Sequence, residues 1–541
     1  MKKYVLWLWR MSAGCRMKIV IRAMVGVANV AVSLTFIALS KVLVDKATAQ
    51  EGGMLPFMWA LVGCILLQLV LSVTTSKLDV SAGIELGNRM RNGFFGWLMG
   101  SRWQGREALH TGDVMSRMND DIDEVTSLLC YTVPTVIVSG TQLVAAALFL
   151  GVLNVHLAIA IVVITPVAFL LSKAYVKRMR SLTHAIRKTG SRLQAFMQEH
   201  LQNRMLVVTM EYADRALKGM DTVLQEMKVL VFRRLNYSLF SKCMVQGGFS
   251  FGYVLAFLWG VTGLSKGTVS FGMMTAFLQL VAQIQRPILE LGRQVPAFVQ
   301  AMASIDGLME LEALPQEEKG EPKRLDGRIG IRMNHVSFAY TDEGREVFDD
   351  FCHDFQPGSL TAVVGETGVG KSTLIRLLLA LVKPDKGDVS FYTGKEEAVA
   401  SPMTRCNIVY VPQGNSLVSG TIRDNLYWGN PQATEEQLRE ALHTAVADFV
   451  YSLPDGLDTP CGEQGTGLSE GQAQRIAIAR GLLRPGGVLL LDEPTSSVDK
   501  ETERLMLERL SAHMQDKTLI LVTHREGIAQ LCASTLHLKR M

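Results

Sequence analysis

The sequence predicts two parts of different fold class: an all-α membrane domain of six helices, then an α/β domain on a buried parallel sheet. Charge separates the two parts, since residues 1–305 hold 31 Lys and Arg against 16 Asp and Glu, whereas residues 306–541 hold 24 against 35. The first part contains apolar stretches of about 20 residues, the length that crosses a bilayer as a helix. The second part alternates short β-rich runs with helical stretches, which favours a parallel sheet covered by helices.

Composition excludes several classes of protein. With 48% hydrophobic and 20% charged residues, the chain is neither disordered nor collagen-like. The acidic second part argues against nucleic-acid binding, which usually needs a basic soluble domain. The eight cysteines form no CxxC pair, so we expect free thiols. Lys2, Lys3, Trp7, Trp9 and Arg10 favour a short N-terminal helix at the cytoplasmic interface, with a frayed terminus as the alternative.

The apolar stretches predict six membrane spans with two long polar loops between them. The spans lie near residues 19–44, 55–76, 128–151, 154–174, 243–264 and 270–290. The loops of about 50 and 70 residues are basic, so the positive-inside rule places them and the N-terminus in the cytoplasm. The second loop has apolar residues at helical spacing, which predicts that the spans continue as helices beyond the bilayer. We therefore expect a multi-pass integral membrane protein, most simply of a bacterial inner (plasma) membrane.

Several glutamines fall at membrane depth and have two possible roles. Polar side chains in a bilayer usually form hydrogen bonds between helices. A substrate pathway is the other reading for at least some of them. The set comprises Gln68, Gln142, Gln246, Gln279 and Gln283.

A charged segment with two prolines, residues 310–328, is predicted to link the two parts. The predicted domains are therefore 1–309, which spans the membrane, and 329–541, which is α/β. Five runs in the second domain are predicted to be strands: Ile329–Tyr340, Leu360–Val364, Asn407–Val411, Val488–Leu491 and Thr518–Val522.

A glycine-rich loop follows the predicted strand Leu360–Val364 and precedes a helical stretch. Its glycines let successive backbone N–H groups face a phosphate, and the following helix adds its dipole. In this pattern, G-x-x-x-x-G-K-S, Lys371 is expected to reach the β- and γ-phosphates and the Ser372 hydroxyl to bind Mg²⁺. The predicted nucleotide-binding residues here are Gly365, Glu366, Thr367, Gly368, Val369, Gly370, Lys371, Ser372 and Thr373.

Two carboxylates, Asp492 and Glu493, end the apolar run Val488–Leu491. At the carboxyl end of a strand beside a phosphate loop, Asp492 is placed to hold the metal. Glu493 is then placed to polarise the attacking water. The alternative is a strand that ends in two solvated acids.

Five further motifs resemble those of ABC transporter ATPase domains. The segment Leu468-Ser469-Glu470-Gly471-Gln472 resembles the signature LSGGQ, with Glu470 in place of a glycine. Tyr340 resembles the aromatic that stacks on adenine, and Gln413 resembles the glutamine that contacts Mg²⁺ and the membrane domain. The last two motifs resemble the loop that couples two ATP sites, at Ser496–Asp499, and the histidine near the γ-phosphate, at His524. The first domain is similar to exporter-type half-transporters, with Gly112–Arg117 and Asp120 on its first long loop.

The resemblance implies an α/β P-loop NTPase (ABC ATPase) domain that hydrolyses ATP with Mg²⁺. The implied catalytic residues are Glu493, His524 and Gln413, and the implied metal ligands are Ser372, Gln413 and Asp492. A second half-transporter is implied as partner, identical or related, because the signature faces ATP held by another subunit. The implied activity is ATP-driven export of a lipid, a peptide or a drug-like molecule. A low-turnover regulatory subunit of a heterodimer is the alternative.

The signature also has a physical reading. Ser469 and Gln472 form an S-x-x-Q capping box, so a helix is predicted to begin there with its positive dipole end exposed. We therefore expect Ser469, Gly471 and Gln472 to contact nucleotide. Only 17 residues follow His524, fewer than usual in the family, so we expect a naturally short or truncated C-terminus.

Overall fold

The structure, a computed structural model, describes residues 2–102, 111–153, 178–179, 181–183, 185–186, 188–340, 346–462, 467–495, 497–513, 516–529 and 532–539. Its contacts divide the chain into two units. One contains residues 1–95 and 112–312, and the other contains residues 96–111 and 313–541.

The first unit is helical throughout its described elements. Short π-helical turns at Arg117–Asp121 and Leu128–Thr132 join α4, α5 and α6. The helices are α1 (Lys2–Met11), α2 (Arg16–Thr48), α3 (Leu55–Met99), α4 (Thr111–Ser116), α5 (Ile122–Ser127), α6 (Val133–Leu153), α7 (Arg204–Thr209), α8 (Ala213–Ser265) and α9 (Phe271–Glu312).

Within the described residues, four helical segments are long and apolar enough to cross a membrane. They are Arg16–Thr48, Leu55–Met99, Asp113–Leu153 and Gln246–Ser265. The first three contain the first, second and third predicted spans, and the fourth covers residues 246–264 of the fifth. The fourth predicted span, residues 154–174, lies outside the described residues. The sixth, residues 270–290, lies in α9, which is less apolar because it carries Gln279, Gln283, Gln285 and Arg286. The long helices α3, α8 and α9 extend well beyond their predicted spans, and for α8 the periodicity of the second loop predicted this extension.

The N-terminal residues form a helix that is held by α9. Trp7 is 5% exposed, and its Nε1 donates to Glu312 Oε2 over 2.8 Å. Arg10 Nη2 bonds both oxygens of Glu312, at 2.5 and 2.6 Å. The predicted N-terminal helix is therefore confirmed, and these side-chain contacts oppose fraying.

Hydrogen bonds between helices account for two of the membrane glutamines. Gln142 in α6 donates to Oε1 of Gln283 in α9, and Gln283 Nε2 donates to Ser33 Oγ in α2 over 2.7 Å. The same three helices, together with α8, also share a cluster of buried apolar side chains that includes Ile37 and Phe277. The interhelical role predicted for membrane glutamines therefore holds for Gln142 and Gln283.

The described residues of the second unit form three sheets. Its strands are β1 (Gly330–Ala339), β2 (Glu346–Phe355), β3 (Leu360–Val364), β4 (Lys386–Tyr392), β5 (Glu397–Val399), β6 (Ile408–Val411), β7 (Gly420–Thr421), β8 (Pro460–Cys461), β9 (Val488–Asp492), β10 (Thr518–Thr523) and β11 (Ser534–His537). Its helices are α10 (Lys371–Leu378), α11 (Ile422–Tyr427), α12 (Glu435–Thr444), α13 (Glu470–Leu483), α14 (Lys500–His513) and α15 (Glu526–Ala529), with 3₁₀ turns at Pro402–Asn407, Asp448–Ser452 and Gly456–Asp458.

All five predicted strands form, and four of them lie together in one parallel sheet. Its order is β11-β3-β10-β9-β6, while β2-β1-β4-β5 form an antiparallel sheet and β7 pairs with β8. Strands β3, β9 and β10 are buried almost throughout, as expected for a parallel sheet covered on both faces. Because parallel strands share one carboxyl edge, the residues that follow β3, β6, β9 and β10 are brought to the same side of the sheet.

The last helix of the first unit extends into the N-terminal end of the predicted linker. Glu310 and Glu312 belong to the last turn of α9, because contacts with other helices of the first unit continue that helix. Arg117 Nη1 donates to Glu310 Oε2 over 2.8 Å, and Glu312 bonds α1 as described above. Helix α9 therefore ends at Glu312, three residues into the predicted linker 310–328.

Candidate active site

The glycine-rich loop joins β3 to α10 in a conformation that requires glycine. Gly368 and Gly370 have φ of 83° and 109°, values that other residues rarely adopt. A Cβ on Gly370 would also lie 2.9 Å from Val347 Cγ1. Lys371 begins α10, and its Nζ donates to the carbonyl of Gly365 over 2.5 Å. The ammonium is thus folded over the loop, where a bound phosphate would lie.

The other predicted residues of the loop divide by exposure. Glu366, Thr367 and Ser372 are exposed, so their side chains are open to a ligand, whereas Val369 packs in the core and has only its backbone to offer. Thr373 is buried and lies 3.3 Å, Oγ1 to hydroxyl oxygen, from Tyr340.

Tyr340 follows β1 and is anchored to the first turns of α10. Arg376 Nη1 donates to the Tyr340 hydroxyl over 2.8 Å, and the Phe338 ring packs edge-on against Tyr340 with 5.0 Å between centroids. These contacts fix the aromatic ring beside the phosphate loop. That position fits its predicted role against a nucleotide base.

Asp492 is the last residue of β9 and lies in a partly buried environment. Burial raises the pKa of its carboxyl group, and a hydrogen bond from Tyr410 opposes that shift. The Tyr410 hydroxyl donates to Asp492 Oδ2 over 3.3 Å, and burial raises the pKa of Tyr410 in turn. A bound cation would favour the ionised carboxylate by direct attraction.

Glu493 contacts the two other residues predicted to be catalytic. Its Oε2 accepts a hydrogen bond from Gln413 Nε2 over 2.8 Å, and its Oε1 lies 3.1 Å from His524 Nδ1. Gln413 follows β6, Glu493 follows β9 and His524 follows β10, so the shared carboxyl edge of the sheet assembles them. Glu493 also has φ of 46°, a strained conformation for a residue other than glycine.

The signature begins α13 with the predicted capping box. Ser469 Oγ accepts from the N–H of Gln472 over 3.2 Å, and Gln472 Oε1 accepts from the N–H of Ser469 over 2.9 Å. A Cβ on Gly471 would lie 2.4 Å from the carbonyl oxygen of Ser497, so glycine is required by close packing. Ser469 is exposed, which leaves the positive end of the α13 dipole open to an anion.

Glu470 is directed at a loop of its own chain. Its Oε1 lies 3.8 Å from the position that a Cβ on Gly414 would take, next to Gln413. This carboxylate therefore lies beside the backbone that follows Gln413.

The loop after Glu493 is described only in part, since Ser496 lies outside the described residues. Asp499 at its end accepts hydrogen bonds from the N–H and hydroxyl of Thr502, at 2.9 and 2.8 Å. The N–H of Thr502 and its hydroxyl hold the pKa of Asp499 below its ordinary value. Asp499 thus caps the start of α14 and fixes the end of this loop.

Two side chains at the site were not predicted from the sequence. Tyr410 lies on β6 between two apolar residues, and nothing local distinguishes it from an ordinary strand tyrosine. Gln474 lies on α13 and donates to the carbonyl of Glu493 over 2.8 Å. The sequence signal available for Gln474 was that it is a polar residue on the buried face of a helix.

These features define a P-loop ATPase site in a chain that also carries a helical membrane domain. The family model of the ABC transporter transmembrane region matches residues 17–288, and the ABC transporter family model matches residues 348–496. The chain therefore belongs to the ABC transporter family.

Curated relatives and a solved structure agree with this assignment. The chain is 30% identical over 420 residues to a fatty acid ABC transporter ATP-binding/permease protein of Mycobacterium bovis, an alignment that covers 76% of this chain and 66% of that protein. It is 28% identical to a multidrug resistance ABC transporter ATP-binding and permease protein of Lactococcus lactis, over 77% of this chain and 71% of the relative. A bacterial Atm1-family ABC exporter solved with ATP bound has the same fold, with a TM-score of 0.82, 22% identity, and coverage of 97% and 94%.

Proposed function

We propose that the protein is an ATP-driven exporter that works as a dimer of half-transporters. The observation that carries the proposal is the meeting of Gln413, Glu493 and His524 at the carboxyl edge of the sheet that also bears the phosphate loop. Residues 1–309 form the membrane domain in this proposal, residues 310–328 the linker and residues 329–541 the ATP-binding domain.

The proposed cofactor is Mg-ATP. Ser372, Gln413 and Asp492 supply a hydroxyl, an amide and a carboxylate oxygen, the hard ligands that Mg²⁺ prefers. In this proposal, phosphate oxygens of ATP and water complete the coordination, as is usual for Mg²⁺. Gln413 uses its Nε2 on Glu493, which leaves its Oε1 for the cation.

Each polar side chain has a separate task in the proposed hydrolysis. Lys371 neutralises charge on the β- and γ-phosphates, while Tyr340 stacks on the base. Glu493 accepts a hydrogen bond from the attacking water and directs its oxygen at the γ-phosphorus. His524 holds the Glu493 carboxylate and lies on the side of the transferring phosphoryl group. Such positioning and charge stabilisation account for most of the catalysis in phosphoryl transfer.

A second subunit completes the site in this proposal. The capped N-terminus of α13 is exposed and has the polarity of an anion site. The phosphate loop already has its own helix in α10, so the anion for α13 is the ATP of a partner chain. Ser469, Gly471 and Gln472 would then contact that ATP across the dimer.

The transported substrate is proposed to be a lipid, peptide or drug-like molecule. The similarity to a fatty acid transporter and to a multidrug resistance transporter supports a lipid or a drug-like molecule within this range. Relatives from bacteria, together with basic cytoplasmic loops, support a place in the bacterial inner membrane. The alternative, a regulatory subunit of low turnover, has no comparable observation behind it.

The test is ATP hydrolysis and nucleotide retention by the purified protein in lipid nanodiscs. Glu493→Gln keeps the shape of the side chain but removes its charge, so hydrolysis should fall by about 10²–10⁴-fold while Mg-ATP stays bound. Glu436→Gln, at an exposed site on α12, is the matched control and should behave as wild type.

Two outcomes would contradict the proposal. Wild-type hydrolysis by Glu493→Gln would place the catalytic carboxylate elsewhere. A heterodimer with a related chain whose ATP hydrolysis is unchanged by Glu493→Gln in this chain would support the regulatory alternative instead.

A further inference from the structure

Gln474 is a fully buried polar residue on the signature helix α13. It is 0% exposed, and its Nε2 donates to the backbone carbonyl of Glu493 over 2.8 Å. Its Oε1 is also buried and has no hydrogen-bond partner among the described residues. Burying an unpaired amide oxygen costs free energy, so the position would favour an apolar side chain if packing alone decided it.

The backbone of Glu493 is held by hydrogen bonds on both sides of its Cα atom. Its N–H donates to the carbonyl of Val522 in β10 over 2.8 Å, while its carbonyl accepts from Gln474. With φ of 46°, Glu493 occupies a strained backbone conformation, and such a conformation persists only where its surroundings enforce it. The two hydrogen bonds supply that enforcement.

A second contact joins α13 to the same segment. The carbonyl oxygen of Ser497 lies so close to Gly471 that a Cβ there would be 2.4 Å away. The first two turns of α13 therefore pack against the backbone carbonyls of Glu493 and Ser497. A displacement of the exposed end of α13, at Ser469, would therefore move the Glu493 backbone through these contacts.

We propose that Gln474 is a positioning residue, which fixes the Glu493 carboxylate and links it to the nucleotide-facing end of α13. The amide donor of Gln474 sets the direction of the Glu493 carbonyl, and the side chain follows from the same backbone. The inference rests on the proposed function, since it assumes that Glu493 acts on water. Through Gln474, binding of the partner subunit's ATP at the signature would shift the carboxylate of Glu493 in this chain.

Gln474→Met tests the inference, because methionine keeps the length of the side chain and cannot donate a hydrogen bond. We expect kcat for ATP hydrolysis to fall on the order of 10²-fold, as for misplaced catalytic groups. The Kd for Mg-ATP should change less than about twofold, because Gln474 lies away from the phosphate loop in sequence and bonds only Glu493 among the described residues. Gln474→Leu is the second variant, should methionine repack in the core.

The matched control is Ile478→Val, at another fully buried position of α13. This substitution perturbs packing without removing a hydrogen bond, so its thermal midpoint should fall about as much as that of Gln474→Met. Its kcat should nevertheless stay within about twofold of wild type. If Ile478→Val lowers kcat as much as Gln474→Met does, the role of Gln474 is structural and the inference is wrong.

A double mutant separates this inference from the proposed function. With Glu493→Gln present, adding Gln474→Met should lower the residual hydrolysis of radiolabelled ATP less than about twofold, since the two residues act as one unit. If Gln474→Met lowers hydrolysis about 10²-fold in the Glu493→Gln background as well, the inference is wrong. It is also wrong if both Gln474 variants keep the wild-type kcat while Glu493→Gln is inactive. Either result leaves the proposed function intact. Wild-type hydrolysis by Glu493→Gln overturns the proposed function itself.

Discussion

At the scale of single residues, the site depends on a few side chains that neighbours hold in place. Glu493 is bound by Gln413 and lies against His524, and its own backbone is strained. Asp492 is partly buried beside Tyr410. This arrangement is preorganised, so a nucleotide meets polar groups that already have their directions.

Lys371 gives the most direct prediction at this scale. Its ammonium lies over the phosphate loop, bonded to the carbonyl of Gly365, and is ready to exchange that bond for a phosphate oxygen. Lys371→Ala should weaken ATP binding by roughly 1.5–3 kcal/mol, the range for a hydrogen bond to a charged group. Hydrolysis should fall more steeply, since charge builds on the transferring group. Titration with a fluorescent ATP analogue and a phosphate-release assay measure the two effects.

The control for Lys371 is Lys395→Ala, an equal change of charge at an exposed residue of the loop between β4 and β5. It should leave binding and hydrolysis unchanged. Unaltered ATP binding by Lys371→Ala would contradict the assignment of the phosphate loop.

At the scale of elements, three helices of the second unit begin with the same capping device. Thr421, Thr434 and Ser469 each accept from the backbone N–H three residues on, and that residue's side chain accepts in return. Capping contributes on the order of 1 kcal/mol to stability at each helix. Only the cap at Ser469 is also proposed to face a nucleotide, which allows structural and functional roles to be separated.

Ser469→Ala and Thr434→Ala therefore form a matched pair. Each removes one cap, so both should lower the free energy of unfolding by about 1 kcal/mol, seen as a similar drop in thermal midpoint. Only Ser469→Ala should lower ATP hydrolysis, because it also removes a hydroxyl proposed to contact the partner's ATP. Equal activity of the two variants would argue that Ser469 is a cap and nothing more.

At the scale of the whole molecule, the second long loop has an exposed apolar turn. Helix α7 and the residues after it expose large apolar side chains, with Met205 83% and Met210 70% exposed. Exposed apolar groups concentrated in one loop mark a surface that another protein covers. In a dimer of half-transporters, the proposed cover is the ATPase domain of the partner near Gln413.

A crosslinking experiment tests this arrangement between chains. In a background without native cysteines, Tyr212→Cys is placed on one chain and Asn415→Cys on a second, differently tagged chain. Mixed expression should give a covalent dimer under mild oxidation, because each disulfide needs Cα atoms within about 7 Å. A pair at Tyr212 and Lys395 is the control and should not react. Crosslinks that form only when both substitutions share one chain would contradict the swapped contact.

The sequence by itself determined what is local along the chain. Strand periodicity, the glycine-rich loop and the box at Ser469 depend on residues within a few positions of one another, so the fold class and the phosphate site were readable directly. The tertiary structure alone decided which distant residues meet. Glu493 lies 80 residues from Gln413 and 31 from His524. Family resemblance named these three residues together, but nothing in their local sequence predicts the contacts.

Tyr410 with Asp492, Gln474 with Glu493, and Gln142 with Gln283 are further contacts of this kind. The physical reason is that hydrophobic pattern sets the type of each element, whereas strand order and helix packing set its neighbours. In the parallel sheet, β6 lies next to β9 and β10 lies next to β3, an order that no local signal encodes. The edge that brings Gln413, Glu493 and His524 together therefore exists only once the long-range pairing of these strands is complete.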